Sequence, residues 1–144
     1  MQRETSNDSQ RREQLKHAAE AYFKGLETAD FNAIPYAEEI ALRTPLAPGG
    51  AHRPLIGRKK LEEVWWAPIK GAIGRVTILD HYINEDATAI CTEALLPIAG
   101  TDITLRVVDR FAVDNMGHIT EQENHFDPRD VTNPGWNTAS LEVQ

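Results

Sequence analysis

The stretch LRVVDRFAVD, residues 105–114, constrains the fold most strongly, because its alternation separates two faces of an extended chain. One face carries four apolar side chains and one carboxylic acid: Leu105, Val107, Asp109, Phe111 and Val113. The other face carries Arg106 and Arg110. Since the apolar face must be buried, the pattern predicts that Asp109 points into the interior. A carboxyl group in that position is paired, protonated or used chemically.

The hydrophobic period changes near residue 75, which separates a helical half from a strand-rich half. Before that point, apolar residues at three- and four-residue steps predict a helix over about residues 9–27, with Tyr22 on its apolar face. Asp30 is predicted to cap a second, shorter helix. Residues 37–45 are predicted as a short strand and residues 46–57 as a loop rich in proline and glycine. A third helix is predicted from Leu61 and is expected to end at Pro68.

Four strands are predicted after the change of period, at residues 75–83, 87–98, 102–113 and 118–126, joined by turns such as DNMG. This order predicts an α+β fold, in which three helices from the N-terminal half pack on the concave side of a cone-shaped, curved antiparallel sheet. Such a fold leaves room for an apolar pocket at its wide end. We expect one domain at residues 15–129, a polar N-terminal extension of the first helix at 1–14, and a C-terminal tail at 130–144.

Composition excludes several classes of function. The net charge of −7 and the absence of a long basic cluster argue against nucleic-acid binding and against anionic membranes. The five histidines lack metal-binding spacings, and no glycine-rich phosphate loop is present, so we predict neither a metal nor a cofactor. One cysteine, a polar N-terminal stretch and the lack of a long apolar run predict a cytoplasmic protein.

The apolar stripe of the first helix places the Tyr22 ring against the sheet, so its hydroxyl group and Asp109 could meet across the helix–sheet interface. Two neutral donors aimed at one oxygen atom would stabilise a developing oxyanion. Two alternatives stay open from the residues alone. Asp109 could pair with an arginine, of which Arg43, Arg53 and Arg75 are candidates, or a bulge could turn it to solvent. Tyr22 could be a core aromatic residue only.

Further candidates for substrate binding come from side chains that alternate along the neighbouring strands. Thr92 shares one side of its strand with Ile90, Ala94 and Leu96. Gln122, Asn124 and Phe126 share one side of the last strand, although both sides of that strand are mostly polar and its orientation stays undecided.

The chain resembles the nuclear-transport-factor-2-like (NTF2-like) superfamily, which includes ketosteroid isomerases and SnoaL-like polyketide cyclases. The resemblance covers about residues 15–129 and is carried by four stretches: AYFKGLETADFNAI, YAEEIALRTP, IGRKKLEEVW and VVDRFAVDNMGHITEQENHFDP. It implies the cone-shaped fold, a cystatin-like α+β barrel, together with a pocket for a small apolar or polycyclic ligand and a homodimer. The superfamily contains both enzymes and binding domains, so the resemblance alone does not decide between these functions.

The ketosteroid isomerase pattern implies an oxyanion-hole pair at Tyr22 and Asp109, the catalytic residues that we predict. The supporting aromatic residue of that pattern falls at Trp65, and the general base falls at Thr44, which cannot carry a proton near neutral pH. The acid that cyclases and epoxide hydrolases use on the last strand falls at Asn124. His52 or Arg53 on the long loop could supply the missing group.

The sequence therefore predicts an enzyme of the isomerase, cyclase or dehydratase type that acts on an apolar, oxygenated small molecule without a cofactor. The alternative is a non-catalytic domain that binds a small ligand in the same pocket. The outer sheet face is the predicted homodimer interface, where four charged side chains are expected to lie: Glu93, Arg106, Arg110 and Glu123.

Overall fold

The computed structural model describes residues 2–137, with side chains described from residue 7 onward. Helix α1, Gln2–Thr28, begins earlier than the sequence predicted. Its predicted apolar stripe is buried, since Leu15, Tyr22 and Phe23 are each at most 2% exposed. Of the predicted tail, residues 130–137 are described and residues 138–144 lie outside the described part. Among the described residues, no helix combines the length and the apolar character needed to cross a bilayer.

The remaining predicted elements follow in order, but a short strand lies inside the predicted loop of residues 46–57 and an unpredicted short helix begins at Arg129. The second predicted helix is a short 3₁₀ turn, Phe31–Ala33. The helices after it are a 3₁₀ turn Gly50–His52, α2 Arg58–Lys60, a π-helix Leu61–Trp66, α3 Ala67–Ile69 and α4 Arg129–Thr132. The strands are β1 Tyr36–Arg43, β2 Leu55–Ile56, β3 Thr77–Ile83, β4 Ala89–Pro97, β5 Thr104–Val113 and β6 Ile119–His125.

The π-helix shows how the chain accommodates Pro68, which the sequence predicted to end the helix. That prediction was wrong, because Pro68 lies inside α3. A proline ring clashes with the carbonyl group four residues earlier, here Val64, and cannot donate a backbone hydrogen bond. The preceding turn is widened instead, and the Ala67 amide donates to the carbonyl of Glu62, five residues back.

The six strands form one sheet in the order β2-β1-β6-β5-β4-β3. Strands β3 to β6 form the predicted antiparallel meander. The sheet is nevertheless mixed, because β1 pairs with β6 in parallel. Hydrophobic alternation identifies a strand but not its neighbour, so this pairing was not predicted. Helix α1 packs across β3, β4 and β5, and the apolar core lies between the helices and this inner face.

A bulge in β6 explains why the alternation of that strand was ambiguous. The β5–β6 register shifts between Ala112 and Val113. As a result, Ile119, Gln122 and Asn124 are all buried although they do not share one parity.

Arg11, in the N-terminal half of α1, forms hydrogen bonds with the turn ends of two β-hairpins. Its guanidinium group donates to the carbonyl oxygens of Ala87, Val113 and Asp114 at 2.9, 2.6 and 2.8 Å. Residues before Leu15, which the sequence predicted to be an extension, therefore make contacts with the sheet.

Candidate functional site

A cavity of about 310 Å³ lies between α1, the π-helix and the inner face of the sheet. This volume is at the lower end of the range for small-ligand sites. Most of its lining is apolar: Leu26, Leu46, Ala47, Val64, Trp65, Pro68, Ile69, Ala72, Ile73, Leu96, Ile98, Leu105, Val107, Phe126 and Val131. Four lining residues carry the main polar groups: Tyr22, Thr44, Asp109 and Asn124. No lysine, arginine or histidine is among the lining residues of the described chain, so the cavity suits a neutral molecule.

Asp109 lies on the inner face of β5 and is 1% exposed. Its Oδ1 atom has no hydrogen-bond partner among the described residues. Burial raises the pKa of Asp109 well above its usual value, while a hydrogen bond from the His125 backbone amide opposes this shift. The inward orientation predicted from the alternation is confirmed. The protonated form of Asp109 is favoured, and a protonated carboxyl group can donate a hydrogen bond into the cavity.

Tyr22 reaches the same cavity from α1. Its ring lies nearly parallel to that of Trp65, with 6.3 Å between ring centroids, and is 5.2 Å from Phe111. Burial raises the pKa of Tyr22 well above its usual value, and the nearby Asp109 carboxyl group adds to this effect. The phenol is therefore neutral and is a second donor at the polar end of the cavity.

Asn124 is held from behind by two residues that do not line the cavity. The Tyr36 hydroxyl group donates to Gln122 Oε1 at 2.7 Å, and Gln122 Nε2 donates to Asn124 Oδ1 at 2.8 Å. Gln122 was predicted to bind a substrate, but the structure places it behind the cavity wall. Tyr36 was missed, although a tyrosine at the start of a buried strand usually has a partner for its hydroxyl group.

Thr92 is also behind the wall rather than on it, which differs from the sequence prediction. It is fully buried on β4, and its Oγ1 is hydrogen-bonded to Nδ1 of His81 at 2.8 Å. His81 Nε2 lies 3.9 Å from a carboxylate oxygen of Glu20 on α1. Sequence reasoning missed His81 because a bulge between Ile78 and Asp80 breaks the alternation of β3.

The other predicted binding residues line the cavity. Thr44 follows β1 and is 2% exposed, Trp65 projects from the π-helix, and Phe126 follows β6. His52 and Arg53, which were considered as sources of a missing group, are not among the lining residues of the described chain. Within the same residues, no three His, Cys, Asp or Glu side chains are grouped to hold a metal ion.

The outer face of the sheet carries apolar side chains among the charged ones. Leu79 and Val108 are 44% and 37% exposed, and they border a shallow hollow of about 90 Å³ with Arg106 and His125. Arg110 pairs with Glu121 at 3.5 Å.

Comparison with known proteins gives similarity at the level of structure. No family model matches the chain, and no curated protein has a significantly similar sequence. An LEH-like epoxide hydrolase from M. tuberculosis is similar with a TM-score of 0.65 and 20% identity, over 90% of this chain and 96% of that one. A Δ5-3-ketosteroid isomerase from Mycobacterium sp. gives 0.65 and 18%, over 79% and 93%. A computationally designed 17-OHP binder gives 0.67 and 16%, over 79% and 91%. At these identities the likeness shows the fold, which is the NTF2-like α+β fold.

Proposed function

We propose that this protein is a small-molecule enzyme that uses no cofactor and acts on a neutral, apolar substrate with one reactive oxygen atom. The observation that carries the proposal is the buried Asp109 carboxyl group, which has an unpartnered oxygen in the described chain and lies beside Tyr22 in an apolar cavity. An unsatisfied buried polar atom is costly to the folded state. A ligand that supplies the missing hydrogen-bond partner offsets that cost, and this supports binding of an oxygenated molecule.

The proposed role of Asp109 is to donate a proton, or a short hydrogen bond, to the substrate oxygen. In the transition state, negative charge grows on that oxygen, and the Tyr22 hydroxyl group stabilises the charge with a second hydrogen bond. Full transfer breaks the O–H bond of Asp109 and leaves a carboxylate, which then accepts a proton from a substrate carbon or from water. Isomerisation, cyclisation and dehydration all fit this sequence of proton transfers.

A non-catalytic binding domain is the second candidate. One observation favours it: apart from Asp109 and Tyr22, no lining residue of the described chain has a side chain that titrates. Thr44 and Asn124 occupy the positions where the resemblance implied a base and an acid. Without another acid or base, an enzyme would have to use Asp109 both as proton donor and as proton acceptor. In a binding domain, Asp109 would hold a ligand without changing it.

Turnover distinguishes the two candidates. The purified protein is incubated with a Δ5-3-ketosteroid and with styrene oxide, and binding and product formation are measured separately. If the enzyme proposal is correct, Asp109→Asn lowers the rate by about 10²- to 10⁴-fold, the usual contribution of a general acid. Asp102→Asn, at an exposed position in the β4–β5 connection, is the matched control and should keep the wild-type rate.

Recovery of a tightly bound probe in unchanged form, with no product from either wild type or Asp109→Asn, would support the binding domain. Wild-type rates in Asp109→Asn would contradict the proposed acid.

We also propose that the outer sheet face forms a homodimer interface, because exposed Leu79 and Val108 lie there among charged side chains of both signs. Light scattering tests this: Val108→Glu should convert a dimer into a monomer, and a monomeric wild-type protein would refute the proposal.

We propose a cytoplasmic location because the free Cys91 suits a reducing compartment. Cell fractionation tests that location.

A further inference from the structure

Four polar residues form a continuous row across the inner face of the sheet. His81 on β3 is opposite Thr92 on β4, Thr92 is opposite Asp109 on β5, and Asp109 is opposite Asn124 on β6. Three of the four are at most 7% exposed. A row of polar residues through an otherwise apolar interior is costly unless its members serve one another. We call His81, Thr92, Asp109 and Asn124 the polar row.

One end of the polar row reaches the surface away from the cavity. Strand β3 is at the edge of the sheet, and the His81 side chain is 16% exposed. Its Nε2 atom is 3.9 Å from Glu20, whose side chain is 58% exposed on α1. Its other ring nitrogen is hydrogen-bonded to the buried Thr92 hydroxyl group. His81 therefore connects solvent at the edge of the sheet to the interior, along the inner face of the sheet.

Thr92 is adjacent to the carboxyl group of Asp109. Residues directly opposite on antiparallel strands have Cβ atoms about 4.5–5.5 Å apart, which is within reach of two short polar side chains. Asp109 Oδ1 has no hydrogen-bond partner in the described chain. The register places the two side chains on the same face, and the relay requires an Asp109 oxygen to reach the Thr92 hydroxyl group. The other titratable groups near Asp109 are the phenols of Tyr22 on α1 and Tyr36 on β1, both deeply buried, and the half-buried thiol of Cys91 on β4.

Asp109 needs such a connection when the cavity is occupied. An apolar ligand in a cavity of about 310 Å³ displaces the water that would otherwise exchange protons with the carboxyl group. A carboxylate that the substrate does not reprotonate would then have no proton source at the mouth.

We propose that Thr92 and His81 carry protons between solvent at Glu20 and the Asp109 carboxyl group, by a route along the inner face of the sheet that avoids the cavity. This inference rests on the proposed function of Asp109 as an acid. Each step moves one proton. The Asp109 carboxylate takes the hydroxyl proton of Thr92, the Thr92 oxygen takes the Nδ1 proton of His81, and His81 Nε2 takes a proton from water. The imidazole ends as its other tautomer, and exchange of its ring protons with water restores the first tautomer before the next inward transfer.

The test measures proton exchange at Asp109 directly, in protein saturated with naphthalene, an apolar probe without oxygen that displaces water from the cavity. A protonated buried carboxyl group has its own C=O stretching band in the infrared spectrum, and this band shifts when the proton is replaced by deuterium. The band is assigned by its loss in Asp109→Asn. Rapid mixing of the protein with D₂O then gives the exchange rate. Thr92→Val, which keeps the shape and removes the hydroxyl group, and His81→Phe should each slow exchange by about tenfold or more.

Two controls separate the relay from damage to packing. Thr92→Ser keeps a hydroxyl group and should keep the wild-type rate, as should His118→Phe, which changes an exposed histidine outside the polar row. A loosened interior would speed exchange rather than slow it, because local opening admits water. The direction of the change is therefore diagnostic.

Equal exchange rates in wild type, Thr92→Val and His81→Phe would overturn the relay, whether those rates are fast or slow. That result would leave the proposed function intact if Asp109→Asn still abolished turnover. Slowed exchange in a protein that turns over no substrate would support the relay and refute the enzyme. A wild-type protein without the protonated band across the range where it is folded would overturn the relay, and turnover would still decide the function.

Discussion

Replacing Asp109 with asparagine should remove a pH dependence from the stability of the protein. Burial raises the pKa of Asp109 in the folded state well above its usual value, whereas the unfolded chain has a pKa of about 3.9 for aspartate. Between these two values the folded state holds a proton that the unfolded state has released. The stabilising effect is full below the unfolded pKa and is lost as the pH rises through the folded pKa.

The magnitude follows from the one proton involved. Over the interval between the two pKa values, the free energy of unfolding of the wild type should fall by about 1.4 kcal/mol per pH unit because of Asp109. Asparagine has nearly the same shape and stays neutral, so the variant lacks this loss. The difference in unfolding free energy, variant minus wild type, should therefore rise by about 1.4 kcal/mol per pH unit in that interval.

Urea unfolding followed by tryptophan fluorescence measures this difference at a series of pH values from about 4 to about 8. Asp127→Asn is an informative comparison, because a hydrogen bond from Arg129 lowers the pKa of Asp127. Its stabilising effect is fully present above the unfolded pKa of about 3.9 and is lost only below it, so its difference curve should be flat over this range. Parallel pH profiles for wild type and Asp109→Asn would refute the argument that Asp109 is buried in its neutral form.

Two further predictions concern packing and anchoring. A Cβ atom at Gly25 would lie 2.6 Å from Ile34 Cγ1, so Gly25→Ala should destabilise the protein by about 1 kcal/mol, after the helix-forming advantage of alanine is subtracted from the overpacking cost. Gly74→Ala, whose Cβ would meet nothing closer than 3.6 Å, should be nearly neutral; equal urea midpoints for the two variants would contradict this reasoning. Arg11→Met removes three hydrogen bonds from a charged group to backbone carbonyls and should lower the unfolding free energy by about 3 kcal/mol. Arg12→Met loses an exposed ion pair and should cost less than about 1 kcal/mol; a cost equal to that of Arg11→Met would refute the anchoring role.

The orientation of Asp109 could be predicted from the sequence because a strand has an exact period of two residues. Four apolar neighbours of the same parity must all be buried, and the carboxyl group is buried with them. The apolar stripe of α1 was equally clear and placed Tyr22 correctly against the sheet. Both predictions depend only on the spacing of apolar residues within one element. That spacing can be read directly from the sequence.

The β6 strand shows where this reasoning stops. Its bulge lets Ile119 and Asn124 face inward together although their parities differ. A bulge depends on the partner strand, and so does the parallel pairing of β1 with β6. Neither leaves a mark in the hydrophobic pattern of one segment. The roles of Gln122 and Tyr36 behind the cavity wall depend on those pairings and were not predictable.

The polar row also depends on how the strands pair, and this is why it was not predicted. His81, Thr92 and Asp109 are separated in the sequence, and they become neighbours only because the register of two successive hairpins places them opposite one another. A shift of one residue in the β3–β4 register would turn His81 to the outer face and leave Thr92 without a partner for its hydroxyl group. The bulge between Ile78 and Asp80 sets that register. A feature that breaks the sequence pattern of β3 is therefore also what places His81 next to Thr92.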